Sequence, residues 1–445
     1  MIQNLKMEKL NVILIGIDTL RADHLGCYGY KRPTSPAIDE LAKNGVIFEN
    51  CFSQAPATAP SFMSIMTSRY PTYHGIGENI GSVGRVICRT YSLDPAIPTL
   101  AAILKKNGYQ TAAFTAGGNV HPLAGFGIGF DYYSVEHGLT GNLRSGDRKR
   151  TLLSDELRPW LGQHARENFF LFLHTYAAHN PWEPPKRYRQ FFAPEAEERL
   201  IAPLFRNKTK ADRATVKTLS KQSRGDIYHM LHSFVNPEKP KDVACLQALY
   251  DGAIRYVDEC VAELLETVNA LKLLERTVIV FTSDHGEEFL EHGMLSHQQL
   301  YNELLRVPLI IKAPNLKKSA AVDQIVRSID IFPTILELLR IRRIPPVQGV
   351  SLIPALERNL NLLAVAETEM RGYSVQNKKY KYIYPRYKSY KIRTDELYDF
   401  ESDPNEKENI LFEKPRIAEE MFALFEEELR RGNFPMPRRK IIYLM

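Results

Sequence analysis

Two carboxylates in this chain stand where chemistry is commonly done. Asp18 closes the apolar run NVILIGID, and Asp284 closes RTVIVFTSD, followed at once by His285 and Gly286. A carboxylate at a strand end is a good ligand for a hard cation, and an acid–histidine pair there is a frequent metal-site element. The plainer reading of each is a capping acid followed by a turn. A third candidate is Thr58 in TAPSFMSIMTSRYP. Pro60 suits the first turn of a helix, which puts Thr58 at or just before an N-terminus whose free N–H groups favour an anion. As the plain alternative, Thr58 is only an N-cap. His179 in AHNPW and His297 in LSHQQLYNE could each donate to a bound oxyanion or protonate a leaving group, although single histidines are more often structural.

Such side chains need a scaffold that brings strand ends together. The runs NVILIGID, VIFENCF, YQTAAFTAG, NFFLFLHTY, RTVIVFTSD and RVPLIIKAP read as buried strands. Helical segments lie among them: AIDELAKNG with Gly45 as C-cap, SFMSIMTSRY, TLAAILKKNG, a long amphipathic pattern over 242–273, and DIFPTILELLRI. Strands alternating with helices predict an α/β fold, a doubly wound and mostly parallel sheet flanked by helices, with ligands outside the carboxyl ends of the strands. Residues 186–241 are polar, basic and helical in composition, and read as an inserted lid or surface excursion. From about residue 366 the pattern shifts to short alternating runs, then a last helix from Lys414 to Arg431. We therefore expect a catalytic α/β domain over 1–365 and, over 366–445, a small C-terminal domain of antiparallel sheet plus helix.

Composition narrows the class. The 445 residues are 44% hydrophobic and 25% charged, which is the globular average and excludes a disordered or fibrous chain. A net charge of +6 does not mark a nucleic-acid binder, and it does not repel a small anionic substrate. The segment Lys378 to Arg393 is rich in lysine and tyrosine, but the alternation in KYKYIY places tyrosines on a core and lysines in water. No nucleic-acid partner is expected. No apolar run spans a bilayer, so no membrane partner is expected either. The N-terminal stretch MIQNLKMEKLNVILIGID has no small-residue cleavage site and reads as the first strand. The cysteines, Cys27, Cys51, Cys88, Cys245 and Cys260, are odd in number and lack CxxC spacing, which fits reduced thiols of a cytoplasmic protein. Oligomeric state is not legible.

In order along nearly the whole chain, DTLRADHLGCYGY, APSFMSIMTSRYP, HNPWEPPKRY, TSDHGEEFLEHG, YNELLRVPLII, SIDIFPTILELL, QGVSLIPAL and LYDFESDPNEKENI resemble the sulfatase family of the alkaline phosphatase superfamily. The resemblance implies a metal-dependent hydrolase of small anionic sulfate, phosphate or phosphonate esters. It implies one divalent ion held by Asp18, Thr58, Asp284 and His285. Three oxygens and one nitrogen leave Mn²⁺, Zn²⁺, Mg²⁺ and Ca²⁺ open and lean towards a transition metal. Thr58 is then the nucleophile, His179 and His297 contact the transferred group or the leaving oxygen, and Arg69 supports the nucleophile. A packed helix-end arginine is the plain alternative for Arg69. Relatives with two metals use an extra acid and histidines. His174 and His179 are near in sequence but have no evident acid partner, so one ion is expected.

The departures from the family pattern carry chemistry of their own. Sulfatases have Cys or Ser, oxidised to formylglycine, at the head of C/S-x-P-S-R. Here Thr58 holds that place and cannot form the aldehyde, Phe62 replaces the arginine, and Thr19 stands where many members have a second acid; Ser61 and Arg69 are retained. A hydrated formylglycine sheds sulfate by collapsing to the aldehyde, an exit closed to threonine. A phosphothreonine is instead opened by water at phosphorus, and threonine nucleophiles serve in related nucleotide pyrophosphatases and phosphoethanolamine transferases. Thr58 thus tilts the expectation towards phosphorus esters. Two alternatives are a transferase passing a phospho-group to an acceptor alcohol and a non-catalytic binding protein on the same scaffold.

Overall fold

A computed structural model of the chain describes residues 9–77, 80–81, 88–135, 155–180, 182, 184–192, 194, 239–295, 297, 299–316, 319–368, 372–385, 395–431 and 440–444. All six apolar runs form strands, and two further strands join them. They are β1 (Asn11–Ile17), β2 (Val46–Phe52), β3 (Gln110–Thr115), β4 (Tyr132–Val135), β5 (Phe169–Thr175), β6 (Thr277–Ser283), β7 (Arg306–Lys312) and β8 (Ala320–Arg327). The sheet order is β8-β2-β7-β6-β1-β5-β3-β4, and within it only β7 runs against the others.

The faces of β1 show why helices must cover both sides. Ile13, Ile15 and Ile17 pack in one layer with α1 (Pro36–Lys43), α4 (Leu157–His164) and the long α5 (Pro240–Ala270). Val12 and Leu14 pack in the other layer with α2 (Thr58–Thr67), α3 (Leu100–Lys106) and α6 (Ile331–Leu338). Successive strand residues point to opposite faces, so a continuous apolar run demands two coverings. The expected C-cap of α1 is displaced by one: Asn44 caps it, and Gly45 follows. Gly16 has a packing role. A Cβ there would lie 2.4 Å from the Phe62 ring, so only glycine lets α2 sit this close to β1.

Register then decides which side chains meet. Ile17 pairs with Thr175 on one side and with Ser283 on the other, so β1, β5 and β6 end level. Asp18 and Asp284 therefore leave the sheet side by side. Of the inserted stretch at 186–241, Lys186–Phe192 is helical and Pro240 opens α5; residues 195–238 lie outside the described ones, and so does the expected lid.

A second sheet, antiparallel, holds β9 (Ala364–Thr368), β10 (Gly372–Gln376), β11 (Tyr380–Pro385) and β12 (Glu396–Asp399) in that order, with α7 (Pro415–Arg430) packed on it through Ala418, Met421 and Phe425. Its first strand straddles the boundary expected at residue 366. Strands at Ile80–Gly81, Cys88–Ser92 and Lys440–Leu444 form a third, small sheet that the sequence pattern did not reveal. One expectation needs correction. Lys381 does not face water: it is wholly buried, 2.7 Å from Glu406 and 2.9 Å from Asn302 Oδ1. The small sheet buries part of its second face against Phe52, Leu300, Tyr301 and Leu305, which closes over Lys381, whereas Lys378 and Lys379 do meet water, with side chains 83% and 44% exposed. The remaining Lys and Arg of the run, at 386–393, lie outside the described residues.

The large sheet and the helix packed on the small one are also locked by charge. Arg327 is fully buried, bonded to Asp330 (2.8 and 3.1 Å), Tyr70 (3.1 Å) and Glu428 of α7. Removing one member of such a cluster leaves uncompensated buried charge. Arg327→Ala is expected to lower unfolding stability by about 3–5 kcal/mol in urea titration. No helix among the described residues is long and apolar enough to cross a membrane.

Candidate metal centre and active site

Asp18 and Asp284 are completely buried, as is His285, and one ligand atom from each lies within 4.8 Å of the others. Among the described residues this is the one group of three or more His, Cys, Asp or Glu with that geometry. The local chain aims each of them. Asp284 Oδ1 accepts from the backbone N–H of Thr19 (3.1 Å) and of His285 (2.8 Å). Its Oδ2 has no hydrogen-bond partner among the described residues. His285 Nδ1 lies 2.8 Å from Gly286 O, which makes Nδ1 the protonated nitrogen and turns the Nε2 lone pair to the cluster. That Nε2 is likewise without a partner and sits 3.4 Å from Asp284 Oδ2.

The helix start brings the hydroxyl. Thr58 is the first residue of α2, after an extended Ala57, and its Oγ1 donates to Asp18 Oδ2 at 3.0 Å. Ser61, one turn on, fastens the helix to the strand end by donating to Asp284 O at 2.7 Å. The four expected ligands are thus together.

Electrostatics say what the cluster suits. Burial, then the neighbouring charge of Asp18, push Asp284 well above the usual carboxylate range. Burial, then His297, push His285 well below the usual imidazole value. Two carboxylates sharing one buried point repel unless a cation joins them, and a neutral imidazole is the form that coordinates a metal. Unpartnered buried Oδ2 and Nε2 atoms facing the same point fit a divalent ion, which the Asp18, Asp284, His285 and Thr58 donors would hold.

His179 and His297 stand at the rim, with side chains 13% and 20% exposed. Their rings face each other at 5.2 Å, and His297 lies 4.6 Å from the His285 ring. His179 Nδ1 bonds Asn180 O at 2.6 Å, leaving Nε2 3.9 Å from Asp18 Oδ1. His297 Nδ1 bonds Glu287 Oε1 at 3.2 Å. Burial disfavours charge on His297, but Glu287, Asp18 and Asp284 together outweigh it and the net shift is upward.

Arg69 is not brought to the cluster. It follows the C-terminal end of α2, about 15 Å along the helix from Thr58, and the charge nearest in effect is Asp94. Three residues that the sequence reading did not place complete the surroundings. Glu287 orients His297. Phe62 fills the place of the motif arginine, edge-on to His174 at 5.1 Å. His174, on β5, is buried with Nε2 3.7 Å from Asp18 Oδ2, and burial pulls it down to about 4. Asp18 is therefore the acid partner of both His174 and His179. An acid two residues beyond His285 was a signal for Glu287; His174 was noticed for its nearness to His179, but its apolar strand gave no sign of which acid it meets.

The fold and this site define a hydrolase of the kind that holds a divalent ion at the strand ends of a large α/β sheet. Comparison with known proteins makes it specific. The family model Sulfatase matches residues 10–341, and that of the N-sulphoglucosamine sulphohydrolase C-terminal region matches residues 290–432. The chain belongs to the sulfatase family and is an ester hydrolase. N-acetylglucosamine-6-O-sulfatase of Bacteroides thetaiotaomicron is 23% identical, covering 99% of this chain and 90% of that protein. Iduronate 2-sulfatase of Homo sapiens is 27% identical, covering 79% and 69%. Among solved structures, a complex described as holding its substrate D-glucosamine-2-N,6-O-disulfate has a TM-score of 0.73 at 21% identity, covering 96% of this chain and 98% of that one. Phosphonate monoester hydrolase of Agrobacterium radiobacter has a TM-score of 0.73 at 20% identity, covering 97% and 100%. At such identity these structures establish the fold.

Proposed function

We propose that this sulfatase-family hydrolase attacks its ester with Thr58, holds one divalent ion at Asp18, Thr58, Asp284 and His285, and prefers phosphorus esters. The observation that carries the reading is the Thr58 hydroxyl, 3.0 Å from Asp18 Oδ2 at the tip of α2 beside the Asp284–His285 pair. When bound, the ion lowers the pKa of that hydroxyl and takes up charge on the non-bridging oxygens. The O–H of Thr58 points at Asp18, so its lone pairs are turned away from that carboxylate. As the oxygen attacks phosphorus in line and the bond to the departing alkoxide breaks, the Thr58 proton passes to Asp18 Oδ2, from which it returns to the Thr58 oxygen when the phosphothreonine is opened. His297, held by Glu287 and opposite His179, gives the alkoxide its proton. The same imidazole then takes a proton from the water that opens the phosphothreonine, which frees phosphate or phosphonate and restores the hydroxyl.

Thr58 has no aldehyde form, so release must occur at the transferred atom, and that favours phosphorus over sulfur. Phosphonate monoester hydrolases from Agrobacterium radiobacter and Silicibacter pomeroyi share the fold, so the scaffold accommodates phosphorus chemistry. The nitrogen ligand favours Mn²⁺ or Zn²⁺ over Ca²⁺. The reading extends to a cytoplasmic location, for which the free thiols Cys27, Cys51, Cys245 and Cys260 are the support.

Turnover of aryl phosphate, phosphodiester, phosphonate and sulfate esters, each with Mn²⁺ or Zn²⁺ and after chelation, tests it. A phosphorus ester should be the best substrate, and chelation should abolish its turnover. Sulfate esters turned over faster than every phosphorus ester would overturn the preference.

A further inference from the structure

The turn that follows Asp18 is strained. Thr19 has a φ of 57°, in the left-handed region where a β-branched side chain is a costly outlier. That conformation turns its N–H back to Asp284 Oδ1 while Asp18 still faces the same point. Bonds from elsewhere in the molecule hold it. Ser283 Oγ accepts from Leu20 N at 2.9 Å. The Tyr250 hydroxyl donates to Thr19 O at 2.7 Å and accepts from Arg21 N at 2.8 Å, closing the turn on both sides.

Tyr250 comes from α5 and is fully buried, and among the described residues its hydroxyl bonds backbone atoms of the turn and none of the ligand side chains. Its ring packs on His24 at 5.0 Å, Phe289 at 5.2 Å and Trp182 at 6.2 Å. Trp182 lies three residues after His179, and Phe289 lies in the stretch between His285 and His297. One phenol therefore ties the Asp18 turn to both segments that carry the rim histidines.

We infer that Tyr250 is a positioning residue of the metal centre, its hydroxyl holding the strained Thr19 turn in the one conformation that lets Asp18 and Asp284 share a cation. The inference rests on the metal-centre reading above. Tyr250→Phe keeps the ring and its packing and removes only the bridge. The dissociation constant for Mn²⁺ or Zn²⁺, measured by competition with a chromophoric chelator, should rise about 10- to 100-fold, as for other groups that orient ligands from behind. The decisive variant is the double substitution Tyr250→Phe with Thr19→Gly. Glycine adopts the left-handed conformation without steric cost, so it should recover most of the lost affinity. Simple bracing of α5 predicts no such rescue. An unchanged dissociation constant in Tyr250→Phe, with only a lower melting temperature, would overturn the inference, as would a double variant no tighter than the single one. Wild-type protein that binds neither ion would instead overturn the metal centre itself.

Discussion

Thr58→Ala is expected to lower kcat on the best phosphorus ester by about four to six orders of magnitude, the range seen when a covalent nucleophile is removed. Among the described residues the side chain makes one hydrogen bond, to Asp18, so its loss should leave the fold intact. Thr58→Ser keeps the attacking oxygen and should retain measurable turnover. The same assignment demands a covalent intermediate: rapid quenching during turnover, followed by peptide mass spectrometry, should find the transferred group on the peptide carrying Thr58 and on no other. Equal rates in wild type and Thr58→Ala on every substrate would end the nucleophile assignment, whatever becomes of the ion.

The second large effect concerns Asp284, and its sign depends on the ion. Asp284→Asn should weaken Mn²⁺ or Zn²⁺ binding by more than about 100-fold, because even groups behind the ligands cost 10- to 100-fold. His285→Ala should do the same. In the chelated protein the effect of Asp284→Asn reverses. Two carboxylates confront each other there in a site closed to water, and burial with the charge of Asp18 already resists ionisation of Asp284. An amide of the same shape removes that repulsion. Thermal melting should thus show Asp284→Asn more stable than wild type with chelator present and less stable than wild type with saturating metal. A variant destabilised in both conditions would show that Asp284 serves the fold and not a cation.

Much of this was legible in the chain. A run of buried strand residues ending in an acid is a local signal, and so is a proline that starts a helix just after a threonine; Asp18, Asp284 and Thr58 were found on those grounds. Phe62 in place of an arginine was visible as a departure, though not that its ring would fill the space above Gly16 and against His174. Arg69 was misjudged because spacing in sequence does not show rise along a helix: eleven residues of mostly α-helix carry a side chain far from its start. Lys381 was misjudged because alternation says which residues share a face and not whether that face meets water. Its side is closed by Tyr301 and Leu305, and Glu406 neutralises it there.

By itself, then, the sequence determined the main elements, the ends at which they break and the chemical character of the groups placed there, since these follow from backbone preference and from periods of two or 3.6 residues. Only the tertiary structure decided that β1 lies between β5 and β6 with their ends level, that Asp18 is the partner of His174 and His179, and that Tyr250 reaches the turn at Thr19. Those meetings join residues far apart in the chain, and they are set by which packing of the whole sheet buries its two apolar faces, a property that no short stretch of residues contains.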